Sequence, residues 1–221
     1  MRSGMLKEEY HHLRKSNMRY RHQLEERIAA VKRCITFKNP RLRAVLDIGT
    51  ADGRMLEELA GEFRINKAVG LELNYDLVKH AGDILPLVGE ACRLPFKHGS
   101  FDIIVLSAVI EHIEEPRKLL ADCRVLLRDG GIVIITTPVP FFDRISSALG
   151  FESKDEHVSN YSKADLAALF EGTGFAGMYY ERFLSMPYPA NIGRLLDSVY
   201  RAARFDRLFM NQIASAKKIK R

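Results

Sequence analysis

The chain has 221 residues, 47% of them hydrophobic, no tryptophan and a net charge of +6. That length suits one domain with a sizeable core, and no apolar run approaches the roughly 18 residues of a membrane span. Cys34, Cys92 and Cys123 form no C-x-x-C pair, so neither a disulfide framework nor a zinc site is expected, and no metal.

Residues 1–44 hold 12 Lys+Arg against 4 Asp+Glu, residues 201–221 hold 7 against 1, and the middle is acidic at 15 against 23. Basic ends on an acidic middle serve as solvated faces, or meet nucleic acid or an anionic membrane surface. The N-terminal stretch lacks the apolar run of a signal peptide, and a cytoplasmic location is the expectation.

Residues 5–35 read as one long amphipathic helix or two shorter ones, with Leu6, Tyr10, Leu13, Leu24, Ile28, Val31 and Ile35 at 3- and 4-residue spacing. Asn39-Pro40 ends this stretch. Ala44, Val45, Leu46 and Ile48 then form a short apolar run broken only by Asp47, suited to a strand buried on both faces. Gly49-Thr50-Ala51-Asp52-Gly53 makes a tight turn, and Met55, Leu56, Leu59 and Ala60 recur at helical spacing behind it. A strand, a glycine loop and a helix in this order form a seat for a nucleotide-like cofactor, with the first N–H groups of the helix facing it. The dinucleotide pattern G-x-G-x-x-G is not met, because the order is G-x-A-x-G with Arg54 next.

Residues 67–73 read as a second buried strand carrying Glu72, 19 residues beyond Gly53. A carboxylate at such a strand tip can accept hydrogen bonds from both hydroxyls of a ribose. A helix over 76–81 and a short third strand near 85–88 follow. Next come Gly89-Glu90-Ala91-Cys92-Arg93-Leu94-Pro95-Phe96, then Phe101-Asp102 and the apolar strand 103–106, then Ser107-Ala108-Val109-Ile110-Glu111-His112-Ile113.

These segments, in this order, resemble the class I S-adenosylmethionine (SAM) dependent methyltransferases, of the branch acting on small molecules and lipids (methyltransferase type 11-like). The loop is similar to D-x-G-x-G-x-G with Ala51 at the middle glycine. Residues 89–96 are similar to G-D-A-x-x-L-P-F with Glu90 at the usual Asp. Residues 101–113 are similar to F-D-x-V-x-x-x-x-V-x-E-H-I with Ile104 at the usual Val.

The resemblance implies an α/β, Rossmann-like fold: a seven-stranded, mostly parallel sheet with an antiparallel last strand and helices on both faces. It implies SAM as cofactor and S-adenosylhomocysteine as product. The cofactor-binding residues it implies are Asp47, Gly49, Thr50, Ala51, Gly53, Glu72, Leu73, Glu90, Ala91, Cys92, Ser107 and Ala108. His112 is the candidate base or acceptor-orienting group, since an imidazole titrates near neutrality; the alternative is a helix-start histidine tied to backbone. The strand end 107–110 lacks the Asn/Asp-Pro-Pro-aromatic motif of nucleic-acid N-methyltransferases, which disfavours a nucleic-acid acceptor.

A helix over 116–127, a turn at Asp129-Gly130-Gly131 and a buried strand over 132–138 come next. Residues 139–161 are irregular, and the resemblance assigns acceptor specificity to this region, with His157 and Tyr161 as substrate-site candidates. Ser162 and Asp165 form a capping box for a further helix. Strands are expected over 178–184 and 209–216, separated by a helical insertion at 187–208 whose arginine-flanked apolar face suits either ordinary packing or peripheral membrane contact. The expected organisation is therefore an N-terminal helical extension or lid at 1–40, a methyltransferase domain at 41–216 and a basic tail at 217–221. The expected activity is methyl transfer to a small-molecule or lipid-like acceptor. An RNA- or protein-directed methyltransferase and a non-catalytic SAM-fold binding protein stand as alternatives.

Overall fold

The computed structural model describes residues 18–40, 42–79, 82–140, 159–183, 199 and 209–219. Thirteen named segments build it. Helix α1 (Met18–Lys38) precedes strand β1 (Ala44–Ile48), α2 (Arg54–Phe63), β2 (Lys67–Glu72), the short α3 (Tyr75–Val78) and β3 (Leu85–Val88). Strand β4 (Phe101–Ser107), a 3-10 turn (Ile110–His112), α4 (Pro116–Leu126), β5 (Leu127–Pro138), α5 (Lys163–Gly172), β6 (Phe175–Phe183) and β7 (Asn211–Lys218) complete it.

The seven strands form one sheet in the order β3-β2-β1-β4-β5-β7-β6. Pairing is parallel from β3 through β5, and β7 runs antiparallel to both β5 and β6. The chain starts at the middle of the sheet, works outward to β3, then returns to the other side of β1. The carboxyl ends of β1 and β4 therefore flank the point where strand order reverses, which is where an open α/β sheet leaves a crevice for ligands.

Alternation along β1 divides the core. Leu46 and Ile48 face one side with Ile104, Leu106, Val133 and Ile135, covered by Leu119, Leu120, Cys123 and Leu126 of α4 and by Leu166, Leu169 and Phe170 of α5. Val45 faces the other side with Ile103, Val105, Ile132 and Ile134, covered by α2 through Met55, Leu56 and Leu59, and by α1 through Leu24, Ile28, Val31 and Ile35. Each such fully buried aliphatic side chain contributes about 1.5–3 kcal/mol relative to exposure.

Helix α1 (18–38) thus shares one layer of the sandwich with α2. Lys32 pairs with Glu62 of α2 at 2.7 Å, and Arg33 with Glu181 of β6 at 2.7 Å. Residues 5–17, the remainder of the expected N-terminal helix, lie outside the described residues, as does nearly all of the insertion at 187–208.

At the amino edge of the sheet, Asp102 Oδ2 accepts hydrogen bonds from the N–H groups of Arg43 and Ala44 at 3.0 and 2.9 Å, and from Arg128 Nη1 at 2.8 Å. One buried carboxylate therefore gathers the starts of β1, β4 and β5, away from the ligand edge. Among the described residues no helix is long and apolar enough to cross a membrane.

Candidate cofactor and acceptor site

The loop after β1 is fixed from beneath. The N–H groups of Gly49 and Thr50 both donate to Leu71 O of β2, at 2.8 and 3.1 Å, and Gly53 N–H donates to Thr50 O at 3.0 Å. Ala51 N–H donates to Glu72 Oε2 at 2.9 Å. Four of the five N–H groups from Gly49 to Gly53 are therefore engaged within the protein. Gly49 has φ 76° and Gly53 φ 77°, and a methyl of Val109, from the segment after β4, occupies the place a Gly49 side chain would take. Glycine is required there on two counts, conformation and space. Ala51 stands at φ 54°, a left-handed conformation that alanine adopts at a cost of about 1 kcal/mol.

Two carboxylates flank this loop. Glu72, 9% exposed at the tip of β2, accepts from Ala51 N–H and, through Oε1, from Asn74 N–H at 3.0 Å. These two bonds orient the carboxylate and leave further lone pairs for a ligand's hydroxyl donors. Asp47, 1% exposed, makes no hydrogen bond through either oxygen among the described residues, and the Thr50 hydroxyl beside it is likewise unengaged. Burial pushes the Asp47 carboxyl up to about 7; the adjacent Thr50 hydroxyl, short of a formed hydrogen bond, opposes that shift and the Glu72 charge adds to it. A buried carboxylate without a partner is costly, and a cationic or donor-bearing ligand would relieve it.

The segment after β4 forms the adjoining wall. Ser107 Oγ lies 3.2 Å from Thr136 Oγ1 of β5. Ala108 N–H donates to Thr136 O at 2.9 Å, and Ala108 takes φ 54°, turning the chain over the carboxyl edge toward Gly49. On the other side Gly89 N–H donates to Glu72 O at 2.9 Å, so the turn bearing Glu90, Ala91 and Cys92 starts beside Glu72. Leu73, Glu90 and Cys92 are exposed and Ala91 is half-buried.

The structure thus brings Asp47, the 49–53 loop, Glu72, Leu73, the 90–92 turn, Ser107 and Ala108 to one edge of the sheet. His112 is exposed at the end of the 3-10 turn. Glu111 beside it is buried at 2% exposure, and its carbonyl accepts from Ser159 N–H at 3.1 Å. Tyr161 packs into the core at 8% exposure, and its carbonyl accepts from Gln212 Nε2 at 2.5 Å. His157 lies outside the described residues. Among the described residues no cluster of His, Cys, Asp and Glu could hold a metal ion.

Sequence reasoning missed the internal engagement of the loop N–H groups, and Val109 as the filler above Gly49. An anion such as a pyrophosphate would find little left to bind in the loop and two acids facing it; a cation and paired hydroxyls would find partners. The family profile described as a methyltransferase domain matches residues 20–180. The chain belongs to that methyltransferase-domain family.

Among sequence relatives, a probable S-adenosylmethionine-dependent methyltransferase of Mycolicibacterium smegmatis is 29% identical over 139 residues, covering 60% of this chain and 52% of that protein. The chain spans about half the length of the curated relatives it matches. Among solved structures, a SAM-dependent methyltransferase from Archaeoglobus fulgidus has a TM-score of 0.69 at 21% identity, covering 96% of this chain and all of that one. A possible histamine N-methyltransferase from Thermotoga maritima has a TM-score of 0.71 at 20% identity, covering 95% and 94%. These likenesses support the seven-stranded methyltransferase fold.

Proposed function

We propose that this methyltransferase-domain protein transfers a methyl group from SAM to a small-molecule or lipid-like acceptor. The observation that carries the reading is the buried Asp47 carboxylate without a hydrogen-bond partner, beside a loop whose N–H groups are largely engaged. This pairing favours a ligand with a cationic end and disfavours a dinucleotide's phosphates.

In this reading Glu72 accepts from the ribose hydroxyls, with Ala51 and Asn74 holding its carboxylate in place. Leu73, Glu90, Ala91 and Cys92 border the adenine. Gly49, Thr50, Gly53, Ser107 and Ala108 line the methionine part, with Asp47 balancing its positive charge. When bound, SAM supplies a sulfonium methyl open to in-line displacement by an acceptor nucleophile.

The chain's own contribution is alignment and exclusion of water, which can lower a barrier by several kcal/mol. His112 would orient the acceptor or take the proton its nucleophile loses. A cytoplasmic location goes with this reading, and the free thiols of Cys34, Cys92 and Cys123 fit a reducing compartment.

Calorimetric titration of the protein with S-adenosylhomocysteine, alongside NAD and a Glu72→Ala variant, tests the proposal. Micromolar binding of the first ligand alone, weakened in the variant, is the expected result. A folded protein that binds neither ligand, or binds NAD, overturns it.

A further inference from the structure

Resting on that reading, we infer that Arg182 and Lys163 hold an anionic group of the acceptor, a phosphate or a carboxylate, at the far end of the cleft from the reacting methyl. The cofactor half of the ligand edge belongs to β1, β2 and β3. The remaining half, over β4, β5, β7 and β6, is where an acceptor can extend. Register places Arg182 on this edge: Ser107 pairs with Thr136, and the next residue of β5, Thr137, is level with Gln212 and Arg182. Three strand spacings of about 4.8 Å separate β4 from β6, so the Arg182 backbone stands roughly 14 Å from the methyl-transfer end.

Neighbouring residues of β6 divide between the two faces. Glu181 reaches Arg33 of α1, whereas Tyr180 and Arg182 face the α5 side. There Arg182 Nε donates to Tyr180 Oη at 3.0 Å, and Tyr180 Oη donates to Gln212 Oε1 at 2.9 Å. Gln212 Nε2 then donates to the carbonyls of Pro138, at 2.9 Å, and Tyr161. This relay runs from the last residue of β5 to the guanidinium and fixes it by one nitrogen.

Lys163 Nζ, at the start of α5, sits 5.0 Å from the centroid of the same Tyr180 ring. Two cations thus gather on one tyrosine, and neither makes an ion pair among the described residues. Among the described residues, the acids adjoining them in sequence are engaged elsewhere: Glu181 with Arg33 across the sheet, and Asp165 with the Ser162 N–H at 2.8 Å and its hydroxyl at 2.6 Å. A guanidinium tethered through Nε keeps its two outer nitrogens as a fork matched to two oxygens of a phosphate or carboxylate, and a nearby ammonium adds a second charge.

Calorimetry on the protein saturated with S-adenosylhomocysteine tests this, with phenyl phosphate and benzoate as anionic probes and benzyl alcohol as the neutral control. Saturable binding of an anionic probe and none of benzyl alcohol is expected. Affinity should fall about tenfold in Arg182→Gln and several-fold in Lys163→Gln, with Arg182→Lys between, and stay unchanged in the exposed control Lys118→Gln.

Sedimentation with phosphatidic acid vesicles identifies the source of the anion. Vesicle binding lost in the same variants indicates a lipid headgroup, and its absence beside probe binding indicates a soluble acceptor. No saturable anion binding, or binding indifferent to both Arg182 and Lys163, overturns the inference. The S-adenosylhomocysteine titration on the same samples reports separately on the methyltransferase reading, and melting curves confirm that the variants fold.

Discussion

Glu72 Oε2 accepts the N–H of Ala51 at 2.9 Å, so the tip of β2 clamps the loop that follows β1. The same carboxylate is the proposed partner of the ribose, which gives it two tasks of different sensitivity. Glu72→Gln keeps one acceptor oxygen for the loop but loses charge-assisted bonding. S-adenosylhomocysteine affinity should fall about tenfold, with a stability loss of about 1 kcal/mol. Calorimetry and urea unfolding measure the two effects separately.

Asp47 gives a pH dependence. Its folded carboxyl, raised to about 7, keeps a proton that the unfolded chain releases near pH 4, so stability falls as pH rises from about 4 to about 7. Asp47→Asn removes that penalty. The variant should exceed the parent in stability by a few kcal/mol at about pH 8 and match it at about pH 4, while binding S-adenosylhomocysteine more weakly. In the parent, affinity should rise with pH through about 7 as the carboxylate ionises. Denaturant melts and titrations at several pH values check both trends.

Ala51 offers a conservative gain. Its left-handed φ of 54° costs about 1 kcal/mol that glycine would not incur, partly offset by glycine's greater unfolded entropy. Ala51→Gly should raise stability by about 0.5 kcal/mol in thermal or urea melts and leave ligand affinity within about twofold, because the N–H to Glu72 is kept.

Gly49 makes the opposite case. Gly49→Ala combines positive φ with overlap against the Val109 methyl, and a stability loss of about 2–4 kcal/mol with loss of cofactor binding is expected. Adding Val109→Ala should recover the steric part and leave the backbone cost of about 1 kcal/mol. A double-mutant cycle in urea measures the coupling.

Much of this architecture was legible in the sequence. The apolar runs of β1, β2 and β4 announce buried parallel strands, and the helical spacing of Leu119, Leu120, Cys123 and Leu126 announces α4. The Ser162 and Asp165 capping box appears as expected. Edges were harder to read. β6 begins at Phe175 rather than 178, because an irregularity between Ala176 and Tyr179, with Gly177 at φ 65°, hides its start. The strand β7 runs Asn211–Lys218, two residues later than 209–216, since the pairing with β5 and β6 sets it. The expected 76–81 helix is the single turn Tyr75–Val78, and the double glycine lies within β5 rather than before it, with Gly130 at φ 79°.

The site divides in the same way. Asp47, the glycine loop and Glu72 announce themselves because strand ends and turns leave a local signature. The hydrogen bonds that occupy the loop N–H groups depend on Leu71 of a neighbouring strand. Lys163 and Arg182 meet at Tyr180 only because α5 and β6 fold onto each other. Such juxtapositions are set by long-range packing and have no local pattern to betray them.

The placement of β7 between β5 and β6 also sets an order of events during synthesis. Among the described strands β6 pairs with β7 alone, so it has no sheet neighbour until residues 211–218 have emerged from the ribosome. Up to that point β1 through β5 can assemble, while the apolar side chains Phe175 and Phe183 lack their final cover. A chaperone that holds exposed strands would find its window there, and a stop codon before Asn211 would yield a product able to form the sheet from β3 through β5 but not its β7–β6 edge.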